Sequence, residues 1–299
     1  MSTVEALVGP SVLEHLMAAL PSLRAHHAPG SPVYELLKGI ARREVESRFA
    51  DPQPCTKEFA PFGDLTFPYH RMGAVDSLNL FDLDELILFS FYWVNRHRYR
   101  RVLDIGANLG LHAMLLSRCG FEVRAFEPDP QHYERLQQHL ALNGCAHVET
   151  RNAALSSHAG VMPFIRVLGN TTGNHLAGSK PAPYGALERF PVAVEAIEPQ
   201  ARWADLIKLD AEGHEREILL AINPSTWHAT DALVEVGSAD NASAIYEHFR
   251  TLGVHLFSQH TNWQAVHARH QMPTSHHDGT LFITMKPAMP WAATPEVSH

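Results

Sequence analysis

From about residue 100 to residue 285 short apolar runs alternate with helical stretches, which restricts the chain to an α/β sheet of mainly parallel strands. Val102-Leu103-Asp104-Ile105 is a first strand ending at Gly106, and residues 109–118 read as a helix stopped by Gly120. Glu122 to Phe126 is the second strand. Asp129 caps the next helix, Pro130 opens it, and Asn143-Gly144 ends it after a stripe of Tyr133, Leu136 and Leu140. His147 to Asn152, Leu206 to Leu209 and Ala232 to Val236 are strands three to five, with helices near 213–222 and 241–252. Val254 to Ser258 and Thr280 to Met285 complete the set. Residues 160–196 interrupt the alternation: VMPFIRV and FPVAVEAI flank the loop GNTTGNHLAGS, which predicts an inserted antiparallel hairpin. In such sheets ligands lie beyond the carboxyl ends of the strands, so the residues just after each strand matter most.

The preceding segment has another character. Residues 3–20 and 32–50 are predicted helices, the second capped by Ser31 with Pro32 at its first position. Residues 51–75 suit a linker or a small strand-turn element, and 82–95 suit a mostly buried helix. The expected division is an N-terminal helical extension and linker at 1–75 and a main domain at 76–299. With 45% apolar and 19% charged residues the chain is globular, and its formal charge of -8 makes it a poor binder of nucleic acid. Three cysteines, Cys55, Cys119 and Cys145, form neither a disulfide framework nor a metal knuckle, which suggests a reducing, cytoplasmic setting. The N-terminus lacks a basic region and carries Glu5 and Glu14, against a signal peptide, and no apolar run approaches a membrane span.

Four strand ends carry chemistry. Asp104-Ile105-Gly106-Ala107-Asn108-Leu109-Gly110 is a G-x-N-x-G turn that lets backbone approach a ligand. Asn108 and Leu111 stand where a dinucleotide fingerprint has glycines, which disfavours a NAD-dependent dehydrogenase. Glu127, in Phe126-Glu127-Pro128-Asp129, can accept two hydrogen bonds from a ribose diol, each contributing about 1.5–3 kcal/mol. Asn152-Ala153-Ala154-Leu155 is a small segment fit to border an adenine. Ile207-Lys208-Leu209-Asp210-Ala211-Glu212-Gly213-His214-Glu215 follows strand four.

Together VLDIGANLG, AFEPDP, NAALS and IKLDAEGHE resemble the FkbM-type S-adenosylmethionine-dependent methyltransferases over roughly residues 80–285. The resemblance implies a class I methyltransferase Rossmann-like sheet of seven strands, six parallel and the last antiparallel. It implies that Asp104, Gly106, Asn108 and Gly110 line the methionine portion of the cofactor. Glu127 would hold the ribose hydroxyls, Asn152 and Ala153 would flank the adenine, and Asp210 would sit beside the sulfonium. Family members mostly methylate hydroxyls of sugars and small natural products, which makes O-methylation of such an acceptor the leading expectation. Methylation of peptide amide nitrogen and a non-catalytic cofactor-binding scaffold are the alternatives. Nucleic-acid methylation is disfavoured, because Asp210-Ala211-Glu212-Gly213 replaces the Asn/Asp-Pro-Pro-Tyr-type run of base-amine enzymes.

An alcohol acceptor must lose its proton as the new bond forms, so a base or a metal is expected. Asp210, Glu212 and His214 are the candidates for base or metal ligand; a divalent metal stays open. Glu235, an acid inside an apolar strand, needs a partner or a place in the site. The 259–279 loop holds His260, His267, His270, His276, His277 and Asp278. If Val254 to Ser258 is parallel to the sheet, the loop starts on the cofactor side and His276-His277-Asp278 could touch acceptor or metal. Adjacent residues of an extended segment cannot point one way, so the pair is no ready-made metal site and a surface loop is the leading reading. The basic run Arg96-His97-Arg98-Tyr99-Arg100-Arg101 could bind the phosphate of a nucleotide-sugar or RNA acceptor, but its leading reading is compensation of a helix C-terminus and a solvated lead-in to the first strand. The N-terminal helices would close over the acceptor or form a homodimer contact.

Overall fold

A computed structural model describes residues 10–180 and 185–291. Helix α1 (Val12–Ala19) starts in a capping box, Ser11 accepting from the Glu14 amide while the Glu14 carboxylate accepts from the Ser11 amide. At Pro21, which has no amide hydrogen, the helix has tightened into a 3-10 turn, Leu20–His26. The part of the expected 3–20 helix before residue 10 lies outside the described residues. Helix α2 (Pro32–Phe49) is capped by Ser31 as expected. The linker folds into two small antiparallel pairs, β1 (Thr56–Glu58) with β2 (Asp64–Thr66) and β3 (Arg71–Met72) with β4 (Val75–Asp76). Helix α3 (Leu83–Val94) follows.

The alternating region then runs β5 (Arg101–Ile105), α4 (Leu111–Arg118), β6 (Glu122–Phe126), α5 (Pro130–Leu142) and β7 (Glu149–Arg151). An excursion of β8 (Ala154–Ser156), β9 (Gly160–Val167), β10 (His175–Leu176) and β11 (Leu187–Ala196) precedes α6 (Ile197–Trp203) and β12 (Leu206–Leu209). Helix α7 (Glu215–Leu220), β13 (Asp231–Glu235), α8 (Ala239–Leu252), β14 (His255–Ser258), β15 (Gln264–Ala265) and β16 (Thr280–Thr284) complete the order.

The main sheet has the order β15-β14-β16-β13-β12-β5-β6-β7. Strands β12, β13, β5, β6 and β7 pair in parallel, and β16 runs antiparallel to both β13 and β14. Six parallel strands and one antiparallel strand are therefore present, as the class I methyltransferase sheet requires. The seven-strand count needs correction, because β15 adds an eighth at the edge. Asn262 and Trp263 take left-handed φ values of 55° and 61° and turn the chain back onto β14, where Ala265 pairs with Phe257. Trp263 is buried, and its indole donates to His27 Nδ1, which fixes the reversal. A two-residue strand has too little pattern to read in advance.

The excursion forms its own sheet, β10-β9-β11-β8. Its centre is the expected hairpin, β9 and β11 paired antiparallel from Gly160↔Val194 to Val167↔Leu187. The NAALS segment, expected only to border a ligand, supplies strand β8 as well, parallel to β11.

Strand alternation divides the core. Val102, Leu206, Leu233 and Phe282 face one side, where they meet α3, α4 and α5. Leu103, Ile105, Ile207, Leu209 and Val234 face the other, against α6, α7 and α8. The first cluster is continuous with Leu13, Met17, Tyr34 and Phe49, so the N-terminal helices share the core of the sheet domain. Helix α3 is buried almost all round for that reason: it lies between the two.

The excursion is anchored by a buried pair. Arg166 on β9 donates from Nε and Nη2 to the two carboxylate oxygens of Asp129 at 2.7 and 2.6 Å, and Asn174 donates to the same carboxylate at 2.9 Å. Asp129 is fully buried and also caps α5 through the Gln131 amide. Arg166→Leu is expected to lower the unfolding free energy by about 3 kcal/mol, since it leaves a buried carboxylate short of its cation. Urea titration followed by circular dichroism checks this.

Candidate functional site

The same alternation that builds the core places three charged side chains together. Asp104, Lys208 and Glu235 occupy the sheet face of Val102, Leu206 and Leu233, near the carboxyl ends of β5, β12 and β13. Lys208 is in register with Asp104. Its Nζ lies 3.9 Å from Asp104 Oδ1 and 3.6 Å from Asp210 Oδ2, and donates to the Gly106 carbonyl at 3.4 Å. Burial disfavours its charge, yet Asp210 and Asp104 hold the ammonium protonated. Burial raises the pKa of Asp104, and Lys208 opposes the shift. Both Asp104 carboxylate oxygens are buried without a hydrogen-bond partner, as is Asn108 Oδ1.

The β5–α4 turn is shaped by two glycines with different jobs. A Cβ on Gly106, at φ 75°, would fall 1.8 Å from the Asp210 carbonyl oxygen, so only glycine lets these strand ends touch. Gly110, at φ 86°, packs against Leu136 of α5 and is not among the residues lining either cavity described below. Between them, the Asn108 amide donates to Glu127 Oε2 at 2.8 Å, while the Asp129 amide donates to Oε1 at 2.8 Å. Burial pushes Glu127 up to about 8 despite these two donors. Asn152 donates to the carbonyls of Glu127 and Pro128, bracing this turn from the end of β7.

Two cavities adjoin across a wall shared by Asn108, Thr172, Asp210 and Glu212. The first is narrow. Gly106, Glu127, Pro128 and Ala153 line it from the main domain, and Leu155, Phe164, His175 and Leu176 line it from the excursion. The second has a volume of about 680 Å³. Tyr34, Glu35 and Lys38 of α2, Asp84 and Glu85 of α3, Lys208, Glu235 and the 276–280 segment line it.

The predicted catalytic residues separate here. Asp210 stands on the shared wall, partly exposed. Glu212 stands beside it with a left-handed φ of 53°, ion-paired to Lys180, and is raised to about 7 by burial and then by Asp210. His214 is corrected. Its Nε2 bonds Ser156 Oγ at 2.9 Å and its Nδ1 bonds Ser179 Oγ at 3.1 Å, so both ring nitrogens are engaged in tying α7 to the excursion. Burial also lowers its pKa. Glu235 does face the site. Its pKa is raised well above the ordinary carboxyl range by burial, with Asp210 and Glu212 adding to the effect.

His276, His277 and Asp278 form a 3-10 turn that lines the second cavity. Among the described residues no three His, Cys, Asp or Glu side chains converge as a metal site. The basic run behaves as a helix end: Arg96 donates to the Trp93 carbonyl and stacks on its ring. Lys208 was visible only as a lone charge in an apolar strand. Glu85 had no distinguishing signal, yet its carboxylate accepts from His112 Nε2 at 2.9 Å, and Tyr92 Oη lies 2.9 Å from His112 Nδ1.

The residues fit an adenosyl sulfonium donor: a carboxylate for a ribose diol, a glycine cradle that a Cβ would fill, and buried oxygens on Asn108 and Asp104 without partners. Comparison with known proteins bears on the same segments. The FkbM methyltransferase domain matches residues 104–253. Methyltransferase sdnD of Sordaria araneosa is 31% identical over a match covering 42% of this chain and 61% of that protein. Among solved structures, the ribosomal protein L11 methylase of Lactobacillus delbrueckii subsp. bulgaricus has a TM-score of 0.33 at 14% identity, covering 66% of this chain and 77% of that one. The O-methyltransferase from Bacillus cereus in complex with SAH has a TM-score of 0.35 at 11% identity, covering 66% and 80%. The domain match takes in all four strand-end segments, from Asp104 through the IKLDAEGHE run, and half of the sequence: the chain belongs to the FkbM methyltransferase family.

Proposed function

We propose that the protein moves a methyl group from S-adenosylmethionine to a hydroxyl of a small natural product or saccharide. The observation that carries this reading is the pair of adjoining cavities with Asp210 on their common wall. The donor, when bound, supplies an already activated methyl group. Glu127 accepts the ribose hydroxyls, Ala153 and Leu155 flank the adenine, and Gly106 and Asn108 approach the methionine portion, with Asp104 and Lys208 behind them. The second cavity, at about 680 Å³, falls within the range of sites for drug-sized ligands.

Such a site works chiefly by alignment, which supplies several kcal/mol when the reacting atoms are held at near-attack distance. The remaining task is removal of the acceptor's hydroxyl proton. Asp210 is the best placed group: Glu212 is committed to Lys180, and His214 has no free nitrogen. Helix α2 acts as part of the acceptor site, since Tyr34, Glu35 and Lys38 form one of its walls.

Formation of S-adenosylhomocysteine from S-adenosylmethionine with a panel of saccharides and hydroxylated natural products tests the reading. Asp210→Asn is expected to reduce turnover by about 100-fold or more while leaving S-adenosylhomocysteine affinity within about twofold. Tight cofactor binding without turnover of any acceptor would instead support a scaffold.

Glu127 adds a pH dependence. Its carboxyl, raised from 4.5 to about 8, keeps a proton in the folded protein that the unfolded chain has released, so the ligand-free protein loses stability as pH rises across that interval. Glu212, raised to about 7, acts in the same direction. Ribose hydroxyls donate to the ionised form, so S-adenosylhomocysteine affinity is expected to increase from about pH 6 to about pH 9. Calorimetric titration at both values checks this, and Glu127→Gln should flatten the trend.

A further inference from the structure

The excursion contributes one polar group that nothing so far uses. His175, on β10, is 1% exposed and lines the narrow cavity together with Glu127, Ala153 and Leu155. Its Nδ1 lies 2.8 Å from the Gly173 carbonyl oxygen. A carbonyl only accepts, so Nδ1 carries the hydrogen and donates. In the neutral ring Nε2 is then a bare acceptor, and it is buried with no hydrogen-bond partner in the protein. Burial lowers the pKa of the ring, which keeps it neutral. A buried acceptor without a donor is costly unless a ligand brings one.

Of the cofactor's parts, the adenine brings such a donor in its 6-amino group. The ribose hydroxyls are assigned to Glu127 in the reading above. Asn152, the side chain expected to flank the base, is turned away, its amide bonded to the carbonyls of Glu127 and Pro128. We infer that His175 Nε2 accepts a hydrogen bond from the adenine 6-amino group, so that the excursion selects an aminated purine. This rests on the cofactor reading above and adds its specificity-determining residue.

The test is calorimetric binding of the full chain to S-adenosylhomocysteine and to the same compound with the 6-amino group replaced by hydrogen. The wild type should prefer the amino compound by about tenfold, the effect of one hydrogen bond to a buried acceptor. His175→Phe, which keeps a ring in place, should bind the amino compound about tenfold more weakly and show no preference. His175→Gln, whose amide oxygen restores an acceptor, should retain part of the preference. Equal affinities in the wild type, or an unchanged ratio in His175→Phe, overturn the inference, and the first outcome does not depend on any variant folding. If the wild type binds neither compound, the cofactor reading itself fails.

Discussion

One carboxylate holds the donor side of this site together. Glu127 receives the Asn108 amide on one oxygen and the Asp129 amide on the other, so a single side chain closes both the β5–α4 and the β6–α5 turns. Each such bond contributes about 0.5–1.5 kcal/mol while the carboxyl is protonated and more once it ionises, and both amides belong to turns that offer them few other partners. The connection continues outward. Asn152 ties the end of β7 to the Glu127 and Pro128 carbonyls, and Asp129 ties the same turn to Arg166 and Asn174 of the excursion. Three strand ends and the covering sheet are thus positioned from one point, which gives a binding surface little to reorganise when a ligand arrives.

The second cavity, proposed for the acceptor, is organised by charge instead. Lys208 is a buried cation in a central strand, and Asp104, Asp210, Glu85 and Glu235 all act on it. A lone buried ammonium would be driven to neutrality, so its survival as a cation depends on those acids. The acids are in excess, and burial, with Asp210 and Glu212 adding to it, raises the pKa of Glu235. The second cavity therefore has a cation and several carboxyl groups on one wall.

How much of this was legible in the sequence follows from what each feature depends on. Gly106, Glu127, Asp210 and Glu235 stand out in the sequence because strand alternation and the rule of strand ends act over a few residues, and all four line one or other of the two cavities. The antiparallel final strand is what the family resemblance implies, and strand alternation accounts for the two clusters of the core. His214 was misjudged because its partners, Ser156 and Ser179, arrive from the excursion, and nothing near His214 announces them. Gly110 has the same explanation: its neighbour is Leu136 on a different helix. Strands β8 and β15 are too short to show a period. His175 went unremarked for a further reason, since its significance lies in a missing partner, and an absence of contacts exists only in three dimensions.

The two halves of the site also differ in where their residues come from. The donor-side lining falls entirely within residues 104–253, the span matched by the family, including the excursion that covers it. The acceptor-side lining draws on Tyr34, Lys38, Asp84, Glu85 and the 276–280 segment, all outside that span. These outer segments are bound to one another. Asp84 accepts from Tyr34 Oη and from Gln259 Nε2, Gln259 Oε1 accepts from the Thr280 amide, and Gln259 Nε2 also donates to the His27 carbonyl. None of these bonds passes through the Glu127 clamp. Substitutions in α2, α3 or the last loop can therefore reshape the acceptor wall while the donor wall stays fixed. Under the proposed function, that separation would let one cofactor site serve acceptors of different shape, with the choice of acceptor falling to the segments that flank the family domain.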